Sequence, residues 1–283
     1  EEYVRAWAIQ FLCEEPPNEV VINRLIEMTD DNSPVVRLYL AAAMQRIDLS
    51  QRWELATGLI ANKIDNNDHN IPKMIWFAIE PLISLDPQKA IQLAYQSEIE
   101  LISNHIGRRL VDAGSIEILF DNLIESPLAR LPLLQGVYDG LKGELDISEP
   151  KNWKMLYKTL QDDPELAEIA ISISQKFGDL EANEFFLLQL NREDIGADQK
   201  IDAIKKLSEN RELVLAEKIP QLLKVPALRT AAIQAIASYD RDEGWDLSEL
   251  ILDEYPSYDA LEQQQTIQTC NRLLNHNFCK SIL

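Results

Sequence analysis

The chain has 283 residues, 46% of them hydrophobic, enough for a full core in one elongated domain or two compact ones. Its 27 basic and 47 acidic residues give a formal charge of −20 with no Lys/Arg run long enough to make a basic patch, which argues against nucleic acid and against an anionic membrane surface as partners. Nine glycines, well below the roughly 7% of an average protein, weigh against all-β folds and glycine-rich nucleotide loops.

The first predicted element is a helix in "VRAWAIQFL", whose stripe Val4, Ala8, Phe11 and Leu12 follows i, i+4, i+7, i+8 spacing. A second apolar segment, "NEVVINRLIEMT" from Asn18, comes next. "VRLYLAAAM" then repeats the first stripe at Val36, Leu40, Ala43 and Met44, and "QRWELATGLIANKI" from Gln51 repeats the second segment. In "DHNIPKMIWFAIEPLI", Asp68, His69 and Asn70 precede Pro72 as a helix entrance with Asn70 near the cap. Met74, Trp76, Phe77, Ile79 and Leu82 are expected to surround a buried helix that Pro81 kinks. The first-helix anchors are Val4, Val36, Met74, Ile102, Leu133, Leu166, Ile201, Leu228 and Leu261, about 32 residues apart. "LRTAAIQAI" carries the stripe once more at Leu228, Ala232, Ala235 and Ile236. Helix starts are signalled by Ser33-Pro34, Asp86-Pro87, Ser126-Pro127, Asp163-Pro164 and Ser257. Asp139-Gly140 lacks the alternating flanks of a hairpin, and residues 142–149 are the expected irregular loop and soft boundary.

The pattern predicts an all-α fold, an α-solenoid of helix pairs running as one array over residues 1–283. Its closest named class is HEAT or armadillo-like, for the paired helices and the "PxVR" of the first helix. No tract reaches the roughly 18 apolar residues of a membrane-spanning helix; the longest uncharged run, Thr230 to Tyr239, has ten. Because the chain opens on an amphipathic pattern, it reads as a piece of a longer one. Tyr3, Val4 and Trp7 are then expected to be exposed at one end, and Phe278, Ile282 and Leu283 at the other.

Chemistry is sparse. His69, His105 and His276 stand apart from one another, and Cys13, Cys270 and Cys279 form no C-x-x-C, so no metal site or cofactor is expected in this chain. No nucleophile elbow, Walker loop or zincin motif occurs, and the expectation is a non-enzyme. Arg5, Arg37 and Arg229 recur at one repeat position, either as a structural ladder or as a groove lining. "GRRL" places Arg108 and Arg109 together as a denser basic spot. The candidate partner contacts are Tyr3, Trp7, Arg37, His69, Arg108 and Arg109, facing a protein partner.

At "YVRAWAIQFL", "SPVVRLYLAAAMQRI", "RWELATGLI" and "DHNIPKMIWFAIEPLI" the chain resembles the HEAT-repeat region of PVC-type haem-binding proteins, also described as membrane-bound dehydrogenases. That resemblance, carried by residues 2–110, implies an extracytoplasmic parent with a sugar-dehydrogenase-like β-propeller before this region and a C-x-x-C-H cytochrome after it. This chain would be the spacer between them. The family's redox residues have no counterparts here. The alternative is a free-standing HEAT adaptor that holds a protein or peptide in its concave groove.

Overall fold

The structure, a computed structural model, describes residues 1–125, 130–144, 147–239, 251 and 254–273. Regular structure among them is wholly helical, without a strand. The chain begins with α1 (Glu2–Leu12), α2 (Glu19–Glu27), α3 (Pro34–Met44), α4 (Arg52–Ile60), α5 (Ile71–Leu85) and α6 (Pro87–Gln96). Next come α7 (Glu100–Asp112), α8 (Ile116–Glu125), α9 (Arg130–Gly140), α10 (Trp153–Leu160) and α11 (Pro164–Lys176). The last five are α12 (Leu180–Asn191), α13 (Ala197–Glu209), α14 (Leu213–Leu222), α15 (Pro226–Ile236) and α16 (Ala260–Arg272). Each of the nine predicted anchors falls in its own helix, in α1, α3, α5, α7, α9, α11, α13, α15 and α16.

Two compact units are present, Glu1–Lys142 with Ser148–Ile173, and Gly143–Ile147 with Ser174–Leu283. In the first, α1 packs on α3, α3 on α5, α5 on α7 and α7 on α9. A second layer runs beside it, α2 on α4, α4 on α6, α6 on α8 and α8 on α10. In the second unit α13 packs on α12 and α15, and α15 on α16.

This layering decides which stripes are covered. In α3, Val36, Leu40 and Met44 are fully buried, and in α15 Leu228, Ala232, Ala235 and Ile236 are buried too. The equivalent stripe of α1 is uncovered, in line with the exposure expected for Tyr3, Val4 and Trp7. Val4 is 63% exposed, Phe11 60% and Leu12 50%, while α1 and its C-cap bury Ala6, Ile9 and Cys13. The period is shared, but among the described residues no helix lies over that face of α1.

Helix entrances follow local chemistry. Proline occupies the first turn of α3, α5, α6 and α15, where a missing N–H costs nothing. Asp86 and Asp163 accept backbone N–H groups of α6 and α11. Ser126-Pro127 lies outside the described residues. Ser257 does not open a helix; it ends a short 3-10 turn, and α16 starts from an Asp259–Glu262 capping box. Asn70 stands at the N-cap of α5 as expected, but the side chain that does the capping is that of Asp68. The Asp68 Oδ1 accepts from the backbone N–H groups of Asn70 and Ile71, both at 2.8 Å.

Helix α5 runs unbroken through Pro81, which has no N–H to give the carbonyl of Phe77. One residue on, the carbonyl of Ala78 takes a 2.6 Å bond from Arg52. The same guanidinium donates to the carbonyls of Ile47 (2.8 Å) and Gln45 (3.2 Å), so it ties the end of α3 to the middle of α5. Ile75, Ala78, Ile79, Leu82 and Ile83 form the buried face of α5. Phe77, expected inside, is 60% exposed, and Met74 and Trp76 are half-exposed. These three lie off the buried face, so helix geometry turns them outward whatever their hydrophobicity.

Helices α7 and α9 approach more closely than ordinary side chains allow. A Cβ on Gly136 would stand 1.9 Å from the carbonyl oxygen of Asn104, and one on Gly107 would stand 2.3 Å from that of Leu133. The glycines sit on facing helices, so each admits the other helix's backbone.

Candidate functional site

The recurring arginines each bind a side chain 26 to 33 positions further along the chain. Arg5 grips Asp31 with two bonds, at 2.7 and 2.8 Å. Arg37 grips Asp65 with two at 2.6 Å and donates a third, at 2.5 Å, to the carbonyl of Asp31. Arg229 donates to Glu262 at 3.0 Å and to the carbonyl of Leu223 at 2.8 Å. In each case an alternate-layer helix is joined to the entrance of the next one. Arg37 is only 3% exposed, so, contrary to the expectation from sequence, it presents nothing to a partner.

"GRRL" divides by helix geometry. Gly107 faces α9, Arg109 pairs with Glu80 of α5 at 2.5 Å, and Arg108 alone is exposed. Beside it, His105 meets Trp76 edge-on, with ring centroids 5.1 Å apart. Burial holds the His105 ring below its ordinary pKa, and the charge of Arg108 adds to that. His69 is exposed in the turn before α5. Tyr3 (63%) and Trp7 (52%) are exposed on α1, and Trp7 stacks on Phe11 at 5.7 Å. Phe278, Ile282, Leu283, His276 and Cys279 lie outside the described residues. Cys13 and Cys270 are buried, and burial raises the pKa of Cys13.

A groove of about 770 Å³ opens between α1, α3 and α5. Gln10, Cys13 and Glu14 line one side, Tyr39, Ala42 and Arg46 the middle, and Asn70, Lys73, Met74 and Phe77 the other. It draws on three alternate helices, so no single segment of the sequence reveals it. The sequence signal is the pair of cations outside the apolar stripes, Arg46 and Lys73. Of the sequence-predicted contacts, none lines this groove.

Among the described residues, no group of three or more His, Cys, Asp or Glu is placed to hold a metal, and no helix is long and apolar enough to cross a membrane. Comparison with protein-family models, with curated proteins and with solved structures gives no match.

Two carboxyls carry a pH prediction. The Arg5 bond holds Asp31 below the ordinary carboxylate range, and the backbone amides of Ile71 and Asn70 do the same for Asp68. Folded pKa values below the unfolded ones mean that the unfolded chain binds protons more readily, so stability falls as pH falls. This contribution is complete above about pH 5 and is lost from about pH 4 downward, through the depressed values. Thermal melts between pH 6 and pH 3 should show a shallower acid loss in Asp31→Asn than in the parent chain. Parallel curves would contradict the assignment.

Proposed function

We propose that the chain is a HEAT/armadillo-like α-solenoid acting as a non-catalytic scaffold for protein contacts. The observation that supports this best is one bond repeated at one place, from Arg5 to Asp31, Arg37 to Asp65 and Arg229 to Glu262. Bonds of this kind join one helix to the next alternate one at three places, as neighbours are joined in a repeat protein whose stability is a sum of nearest-neighbour terms. The exposed stripe of α1 is the kind of face that a further helical unit covers. The resemblance to PVC-type haem-binding proteins supplies a setting, a spacer between a dehydrogenase propeller and a c-type cytochrome, and that setting rests on the residues that carry the resemblance.

Two experiments address the reading. Extending the chain through its flanking coding sequence should raise the melting temperature as Val4, Trp7 and Phe11 become covered; an unchanged value contradicts the scaffold reading at that face. The parent coding sequence tests the setting. A propeller upstream with C-x-x-C-H downstream supports it, and a parent with neither leaves the free-standing adaptor.

A further inference from the structure

The groove between α1, α3 and α5 deepens the scaffold reading, and any partner assigned to it rests on that reading. Its walls are apolar and adaptable, with Leu38, Tyr39, Met74 and Phe77 lining it. Methionine and aromatic side chains suit a surface that accepts another helix, because they conform to it at little cost. Arg46, in the turn after α3, and Lys73, in the first turn of α5, border the same space. Both are exposed, and among the described residues neither has an ion-pair partner. Glu14 is the one carboxylate among the groove's lining residues. In a chain with 47 acidic and 27 basic residues, this is a local reversal of charge beside exposed apolar surface.

We infer that this groove docks an acidic amphipathic peptide helix, its apolar face on Tyr39, Met74 and Phe77 and its carboxylates on Arg46 and Lys73. The charge pattern selects the sign of the partner, and the apolar wall selects its amphipathicity. A fatty-acyl anion shares that chemistry in part. It fits less well, because Gln10 and Asn70 in the lining would lose water without gaining hydrogen bonds from a hydrocarbon chain.

The test uses the intact chain and two fluorescein-labelled helical peptides of about 15 residues, long enough to form a helix on binding. Both carry leucines at i, i+3, i+4 and i+7; one has glutamates on its polar face, the other lysines. Fluorescence anisotropy at low ionic strength should show the glutamate peptide binding at least about tenfold more tightly, and weakening as salt rises. The net charge of the chain favours the lysine peptide nonspecifically, so this order is a demanding one. The doubly reversed variant Arg46→Glu/Lys73→Glu should lose about tenfold or more in affinity for the glutamate peptide with an unchanged melting curve. Phe77→Ala should also weaken it. Equal or tighter binding of the lysine peptide overturns the inference, as does an affinity that the charge reversal does not change. So does the absence of peptide binding, or binding of dodecanoate alone. Any of these with the helical fold intact leaves the scaffold reading standing, since that reading is decided by the flanking-sequence experiments.

Discussion

Gly136→Ala is expected to destabilise the protein by about 3 kcal/mol or more, a fall in melting temperature of at least about 6 °C. The new Cβ would sit 1.9 Å from the Asn104 carbonyl oxygen, 2.8 Å from its carbon and 2.9 Å from the Arg108 nitrogen. All three are backbone atoms of α7, so no side chain can swing aside, and α9 must move away as a body. The loss would spread along the contact, because Gly107 on α7 meets Leu133 of α9 in the same way. Gly196→Ala supplies the control. No atom lies within 4 Å of its Cβ position, and the change should cost less than about 1 kcal/mol. Helix propensity alone would make Gly136→Ala stabilising, so a gain, or a loss no larger than that of Gly196→Ala, in chemical denaturation would contradict the close approach.

The second large effect concerns the Arg37–Asp65 pair, whose side chains are 4% and 3% exposed. Removing one partner leaves a charge buried without its counterion. Arg37→Met is therefore expected to cost about 3–5 kcal/mol, and Asp65→Leu a similar amount. The double variant removes both charges and should recover much of that loss, although the Asp31 carbonyl also loses its donor. Arg5→Met tests the comparison from the other side. Arg5 makes the same kind of bond, but its side chain is 41% exposed and screened by solvent, so its loss should cost far less than the loss of Arg37. A denaturant cycle over the four variants separates these cases. Additive losses at Arg37 and Asp65 would contradict a coupled pair.

Much of the helical order was legible because one apolar period is written nine times, and each anchor proved to lie in its own helix. Periodicity gives a stripe, however, and not what covers it. Val36 and Leu228 are buried because α1 and α13 lie against their helices, while Val4 has no such neighbour among the described residues. Phe77 misled for a related reason: hydrophobicity suggested the core, but its position on α5 turns it toward the groove. The repetition of arginine pointed to a ladder or a lining. Depth, which separates buried Arg37 from half-exposed Arg5, is a tertiary property that repetition alone does not carry. The groove was the least legible feature, since each of its walls reads as one side of an ordinary amphipathic helix.

Hydrogen exchange on the intact chain tests most directly the claim that stability is built from neighbour to neighbour. With Gly136→Ala destabilising one interface, amides of α7 and α9 should lose protection while those of α1 and α3, further along the same layer, keep theirs. A uniform loss of protection through α1, α3, α5, α7 and α9 would show one indivisible core and contradict the repeat account.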